Sequence, residues 1–282
     1  MLLQRIALAA SFALLANAAV AQGFSDNEAS YRYQPFSKEP GTNRGQDIPK
    51  NILNFTHVDA GKYYIDNFFY MDILQSNHDD PANGAANTGA TEVYTFWRGD
   101  LSNSKVFGGN LAVPGFLRDV TLQGGVDGNT KNTTFAPEKK DIVIGPNFHF
   151  DTPGFFNAAV HFYKEWNYNG IVGKGVDFNP TAEFEFVWLY PLDFTGLPMR
   201  LEGFTNVTLP KGRDGFGNQT ATEMLFRSQI TFDIGALFNK PHIYDAFVGY
   251  QWWINKFGNN HTLYSNVGSY ETTPYFGVGV HF

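Results

Sequence analysis

The chain has 282 residues, a formal charge of −7 and no cysteine. This removes thiol chemistry and Cys-ligated zinc, and the acidic balance argues against nucleic acid as a partner. Its 28 Phe, 14 Tyr and 29 Gly coexist with a mean hydropathy of −0.26, a polar average that conceals strongly apolar alternate positions.

Met1 to Arg5 is a short basic start, Ile6 to Leu15 is apolar, and Ala19-Val20-Ala21 is a small-x-small cleavage site. Residues 1–21 therefore read as a secretory signal peptide, and 22–282 as one exported domain. Beyond residue 21 no run of about 18 apolar residues offers a membrane helix. Only helices and closed barrels satisfy their backbone within lipid, so an alternating exported chain is a barrel candidate.

Strands follow in order, because period-2 alternation sends successive side chains to opposite faces. Residues 29–36 are a first strand and 51–58 a less regular second. In 63–75, Ile65, Phe69, Met71 and Ile73 face outward, and Asp66, Phe68, Tyr70 and Asp72 inward. In 91–100, Val93, Thr95 and Trp97 oppose Glu92, Tyr94, Phe96, Arg98 and Asp100. In 118–128, Val120, Leu122 and Val126 oppose Asp119, Thr121, Gln123 and Asp127. In 140–150, Ile142, Ile144 and Phe148 oppose Asn147 and His149. In 155–168, Phe156, Val160, Phe162 and Trp166 oppose Asn157, His161, Tyr163, Glu165 and Asn167, with Lys164 breaking the outer face. Residues 176–190 alternate longest, with Val176, Phe178, Pro180, Phe184, Phe186 and Trp188 outward and Glu183 and Glu185 inward. In 198–209, Leu201 and Val207 oppose Arg200, Glu202 and Asn206. In 222–234, Phe226 and Ile230 oppose Glu223, Arg227, Gln229 and Asp233. In 242–256, Val248, Tyr250 and Trp252 oppose Asp245, Gln251 and Trp253. In the last strand, Phe276, Val278, Val280 and Phe282 share the apolar face and serve as the barrel-closing, assembly-signal residues.

Polar connections at 37–49, 76–90, 129–138, 169–175, 210–221 and 257–271 read as outer loops. Those at 59–62, 101–117, 151–154, 192–197 and 235–241 read as periplasmic turns. The alternation of the two sets predicts a transmembrane antiparallel β-barrel of 12 strands, both termini periplasmic.

Several segments resemble the Tsx-like nucleoside-specific channel family of bacterial outer membranes. They are Ser30-Tyr-Arg-Tyr33, the stretch Asp47 to His57, Asn67-Phe-Phe69, Asp79-Asp-Pro-Ala82 and Glu92-Val-Tyr94. Lys139-Lys140, Gly145-Pro146, Asp151 to Phe155, Tyr163 to Asn167, Asn255 to Gly258 and Glu271 to Pro274 complete the set. The resemblance covers most of the chain after residue 21, and the branch it points to is a divergent one. It implies a narrow, monomeric porin of the Gram-negative outer membrane, folded by the barrel assembly machinery, that passes nucleosides.

Inward residues supply the substrate-path candidates: Phe68, Tyr70, Glu92, Tyr94, Phe96, Arg98, Tyr163, Glu165, Glu183, Glu185, Arg200, Glu202, Arg227 and Trp253. Aromatic faces can stack on a base, while carboxylates and arginines bond its edges and a ribose. The bland reading of the same charges is ion-paired filling of a small barrel. A barrel lipase requires Ser activated by His, and no His in the chain is followed by Ser two residues on. A rim protease and a structural barrel with a plugged lumen are rival readings. His78-Asp79-Asp80 could form a metal corner but sits in an Asn- and Gly-rich loop. No metal or cofactor is expected.

Overall fold

The computed structural model describes residues 23–40, 45–61, 64–76, 89–109, 111–133, 137–263 and 268–282. The expected signal peptide and His78-Asp79-Asp80 lie outside the described residues. Thirteen strands form in chain order: β1 (Phe24–Ser37), β2 (Ile48–Ala60), β3 (Ile65–Ser76), β4 (Thr91–Ser102), β5 (Leu117–Lys131), β6 (Glu138–Phe150), β7 (Phe155–Asn169), β8 (Lys174–Asp177), β9 (Thr181–Pro191), β10 (Met199–Thr208), β11 (Glu223–Asp233), β12 (Tyr244–Ile254) and β13 (Tyr270–His281). Among the described residues, a short α-helix, α1 (Asn103–Phe107), sits in the connection after β4.

Twelve of these strands are staves of a closed antiparallel barrel. Each pairs with its neighbours in sequence, β7 pairs β9, and β1 closes the ring on β13 with Tyr31 opposite Val278 and Tyr33 opposite Phe276. The β8 segment is not a stave. It pairs only with the end of β7, from Trp166 opposite Asp177 to Asn169 opposite Lys174.

This corrects the expectation of one strand over 176–190. The chain leaves the ladder at Phe178-Asn179-Pro180, where Pro180 has no N–H to donate. The Phe178 N–H still reaches the Glu165 carbonyl and the Asn179 N–H the Lys211 carbonyl. Phe178, expected outward, is buried under the Lys211 ammonium, 4.8 Å from its ring centre. Lys164, which breaks the outer face of its strand, reaches Asp177 and the Phe178 carbonyl at this interruption.

Elsewhere the two faces separate as alternation dictates. Outward Leu53, Val248, Phe276 and Val278 are 54–59% exposed, whereas inward Ile52, Tyr163 and Tyr275 are at most 1% exposed. An apolar belt of this extent suits lipid rather than water.

Midway along the barrel wall, two glycines of β12 and β13 make room for two rings. A Cβ on Gly277 would lie 2.2 Å from the Tyr31 carbonyl oxygen and 2.4 Å from the Phe247 ring; one on Gly249 would meet the Tyr275 ring at 2.4 Å. The two rings meet edge to face at 6.3 Å. At the end of the barrel that carries the termini, His281 bridges the staves on either side of its own, touching Asp26 at 2.8 Å and Asp245 at 3.0 Å. The Phe282 N–H donates to the Asn27 carbonyl, and the Asn27 amide donates to the Phe282 carbonyl at 3.1 Å.

Candidate functional site: the lumen

The barrel encloses a cavity of about 440 Å³. Alternation along β3 and β4 delivers Phe68, Tyr70, Phe96 and Tyr94 to one wall. Tyr70 and Phe96 stack at 5.0 Å and 23°, and Phe68 leans on Phe96 at 5.6 Å. The result is an aromatic shelf two strands wide that lines the lumen, with the Arg98 guanidinium also packed over the Phe96 ring at 5.2 Å.

Two polar bridges cross the space beside it. Arg227 on β11 donates to the Tyr70 hydroxyl on β3 at 2.8 Å, with β12, β13, β1 and β2 between the two strands. Tyr70 in turn donates to Asp72 at 2.7 Å, and Asp72 pairs with Arg32 at 2.6 Å. Gln251 accepts from Arg227 at 2.6 and 2.9 Å, and the guanidinium packs over the Phe204 ring. The second bridge is Arg98 on β4, which pairs with Asp127 and donates to Glu185 on β9 at 3.1 Å. Gly125 permits this pose, since a Cβ there would come within 2.7 Å of the Arg98 side chain. Planar, many-donor guanidinium groups suit both spans.

The mouth opposite the termini is lined by lysines drawn inward. Glu39, between β1 and β2, is ion-paired with Lys50, with Lys131 at 3.4 Å and with Lys256 at 3.9 Å. Burial alone would raise its carboxyl, but Lys131, Lys50 and Lys256 outweigh that and hold it well below the usual carboxylate range. Lys256 also pairs with Glu271 at 3.0 Å and covers the Trp253 ring at 4.5 Å. Lys211, from the β10–β11 loop, is buried against Glu165 and Phe178.

Of the fourteen residues read as a substrate path, Phe68, Tyr70, Glu92, Tyr94, Phe96, Arg98, Glu183, Glu185, Arg227 and Trp253 line the cavity. Tyr163 and Glu165 are inward but sealed in the wall, bonded to each other at 2.5 Å, and do not reach it. Arg200 and Glu202 pair at 2.8 Å nearer the termini, where Asp245 holds Arg200 at 2.5 Å. Lining residues outside that set include Asn206, Phe204, Gln251 and Glu271. The parity of their strands marks them as inward; their polar or bulky character alone does not set them apart.

No protein-family model matches this sequence, and no curated protein matches it. Among solved structures, an outer membrane channel from Pseudomonas putida F1 is similar, with a TM-score of 0.51 at 11% identity over 93% of this chain and 96% of that one. The translocator domain of the autotransporter NalP from Neisseria meningitidis gives 0.43 at 10% identity over 98% and 95%. The first of these likenesses speaks to fold alone. Together with the closed ring and its apolar belt, it defines a transmembrane antiparallel β-barrel of the outer membrane type.

Proposed function

We propose that this barrel is an outer membrane channel for passive uptake of small solutes, with nucleosides the best-fitting class. It is a Tsx-like channel in this reading. The carrying observation is the 440 Å³ lumen, with the Phe68–Phe96–Tyr70 shelf on one wall and fixed Arg and carboxylate groups around it. A purine or pyrimidine has a face for the shelf and edges for Arg227, Arg98, Glu183 and Glu185. Stacking contributes about 1–3 kcal/mol per base, enough to select and weak enough to release. Residues 1–21 direct export and are removed, the termini face the periplasm, and the long loops face outward. The barrel acts as a monomer in outer membrane lipid after insertion by the barrel assembly machinery.

A second reading draws on the two cross-lumen bridges, which narrow the space as a structural, closed barrel would. An enzyme reading has less support: the side-chain hydrogen bonds of His57, His149, His161, His261 and His281 run to Asn27, Asp59, Thr121, Gln123, Asn255, Asp26 and Asp245, none of them a serine.

The test is a planar-bilayer titration with adenosine, thymidine, sugars and amino acids. Small unitary currents reduced by nucleosides, and less so by the other solutes, are the expected result. Unchanged currents in saturating adenosine and thymidine remove the nucleoside part. Absence of conductance removes the channel and favours the closed barrel.

A further inference from the structure

The lumen wall between β7 and β9 joins two carboxylates of the proposed solute path to a buried histidine that the path does not use. His161 faces Glu183 in the β7–β9 ladder, and Glu185 follows two residues on, on the same inward face. Each of the three can direct one ligand atom to a common point, with all three atoms within 4.8 Å of one another. His161 has a fully buried side chain, and Glu183 is 5% exposed.

Their free atoms point at each other. His161 Nε2 lies 2.7 Å from the Gln123 amide oxygen and so carries the proton there. In the neutral imidazole this leaves a lone pair on Nδ1, 3.5 Å from Glu183 Oε1. Both atoms are buried without a hydrogen-bond partner among the described residues. The other Glu183 oxygen is satisfied by the Thr208 hydroxyl at 2.9 Å. Glu185 gives one oxygen to Arg98 and keeps the second. Two buried acceptors facing each other repel unless a positive centre lies between them.

Charge leads to the same point. On this side of the lumen Arg98, Lys139 and Lys211 are ion-paired with Asp127, Glu185, Asp141, Glu165 and Glu223, while Glu183 has no Lys or Arg within 4.0 Å among the described residues. Carboxylates outnumber cations, and a divalent ion would offset the excess.

We infer that His161, Glu183 and Glu185 form a binding site for a divalent transition-metal ion in the lumen wall, with Zn²⁺ the best match. One imidazole and two carboxylates are a zinc-type donor set, and bonds of about 2.1 Å in tetrahedral array place neighbouring donors about 3.4 Å apart. The Nδ1–Oε1 separation of 3.5 Å already meets that spacing. Gln123 supplies the outer contact that fixes the imidazole tautomer, as such partners do for metal-bound histidines. Glu183 and Glu185 border the cavity, so the fourth position opens to the lumen.

The folded barrel, stripped with chelator and titrated with Zn²⁺ by calorimetry, is expected to bind one ion per chain. The His161→Gln, Glu183→Gln double variant should weaken binding by more than about 100-fold, beyond what loss of a merely supporting residue costs. Its fold is checked by heat-modifiable electrophoretic mobility. Pulsed electron paramagnetic resonance of the wild-type barrel loaded with one Cu²⁺ gives an answer that needs no variant: a single coordinated imidazole nitrogen is expected. Absence of stoichiometric binding, an ion held without imidazole, or a folded double variant with unaltered affinity would each overturn the site.

Discussion

Arg98 shows how much one inward residue can hold. Its guanidinium joins Asp127 on the neighbouring strand to Glu185 across the lumen, and it is only 4% exposed. Arg98→Ala leaves two carboxylates without their cation and should cost about 3–5 kcal/mol; urea unfolding in liposomes measures it. Glu39 makes a pH-dependent contribution of defined sign. Its folded pKa lies below the unfolded one, so its stabilisation is complete above the ordinary carboxylate value and is lost as pH falls through the depressed folded value. The wild-type protein should exceed Glu39→Gln in unfolding midpoint at neutral pH, with the gap closing in acid. A gap that is constant with pH would contradict the three-lysine account. At this scale the sequence reveals parity but not reach. Period 2 brings Tyr94 and Tyr163 inward alike, yet only Tyr94 reaches the cavity, because Lys139, Lys211 and Asp141 enclose Tyr163. The metal donors are hidden for a related reason: His161 and Glu183 are far apart along the chain and adjacent only across a ladder.

At the scale of elements, alternation locates every stave and misjudges one connection. The run 176–190 keeps period 2 through Phe178 and Pro180, so its pattern alone cannot reveal the interruption. Pro180 carries the contrary signal, since proline inside a paired strand removes a ladder donor. What it cannot reveal is that Phe178 turns in to cover Lys211. The closing strand contributes more to the interior than its apolar outer face suggests: Tyr275 is fully buried and Glu271 borders the cavity. That packing depends on Gly277. Gly277→Val would drive a side chain into the Tyr31 carbonyl and the Phe247 ring, both under 2.5 Å from the position its Cβ would take. Folded barrel, scored by heat-modifiable mobility, should fall sharply. Trimming Phe247 to Ala in the same chain should recover only part of it, because the backbone clash persists.

For the molecule as a whole, the connections are as informative as the strands. Two alternating sets of loops require an even number of staves, and β1 and β13 meet as that count demands. Closure at the seam extends to the Phe282–Asn27 pair of hydrogen bonds. Deleting Phe282 should therefore lower the yield of heat-modifiable barrel in the outer membrane; an undiminished yield would remove its role in closure. The interior is less legible, because cross-lumen bridges such as Arg227 to Tyr70 depend on barrel radius and side-chain reach, which no local pattern encodes. The seam also bears on folding kinetics. Tyr33 and Phe276 must find each other across nearly the whole chain, and until they do both flanking strands are open edges that can recruit other chains. Such a contact rewards the chain only after a large loop-closure entropy has been met, so productive folding is slow and nearly all-or-none. A nascent chain held unfolded until β13 is available would avoid aggregation, whereas one released early would not.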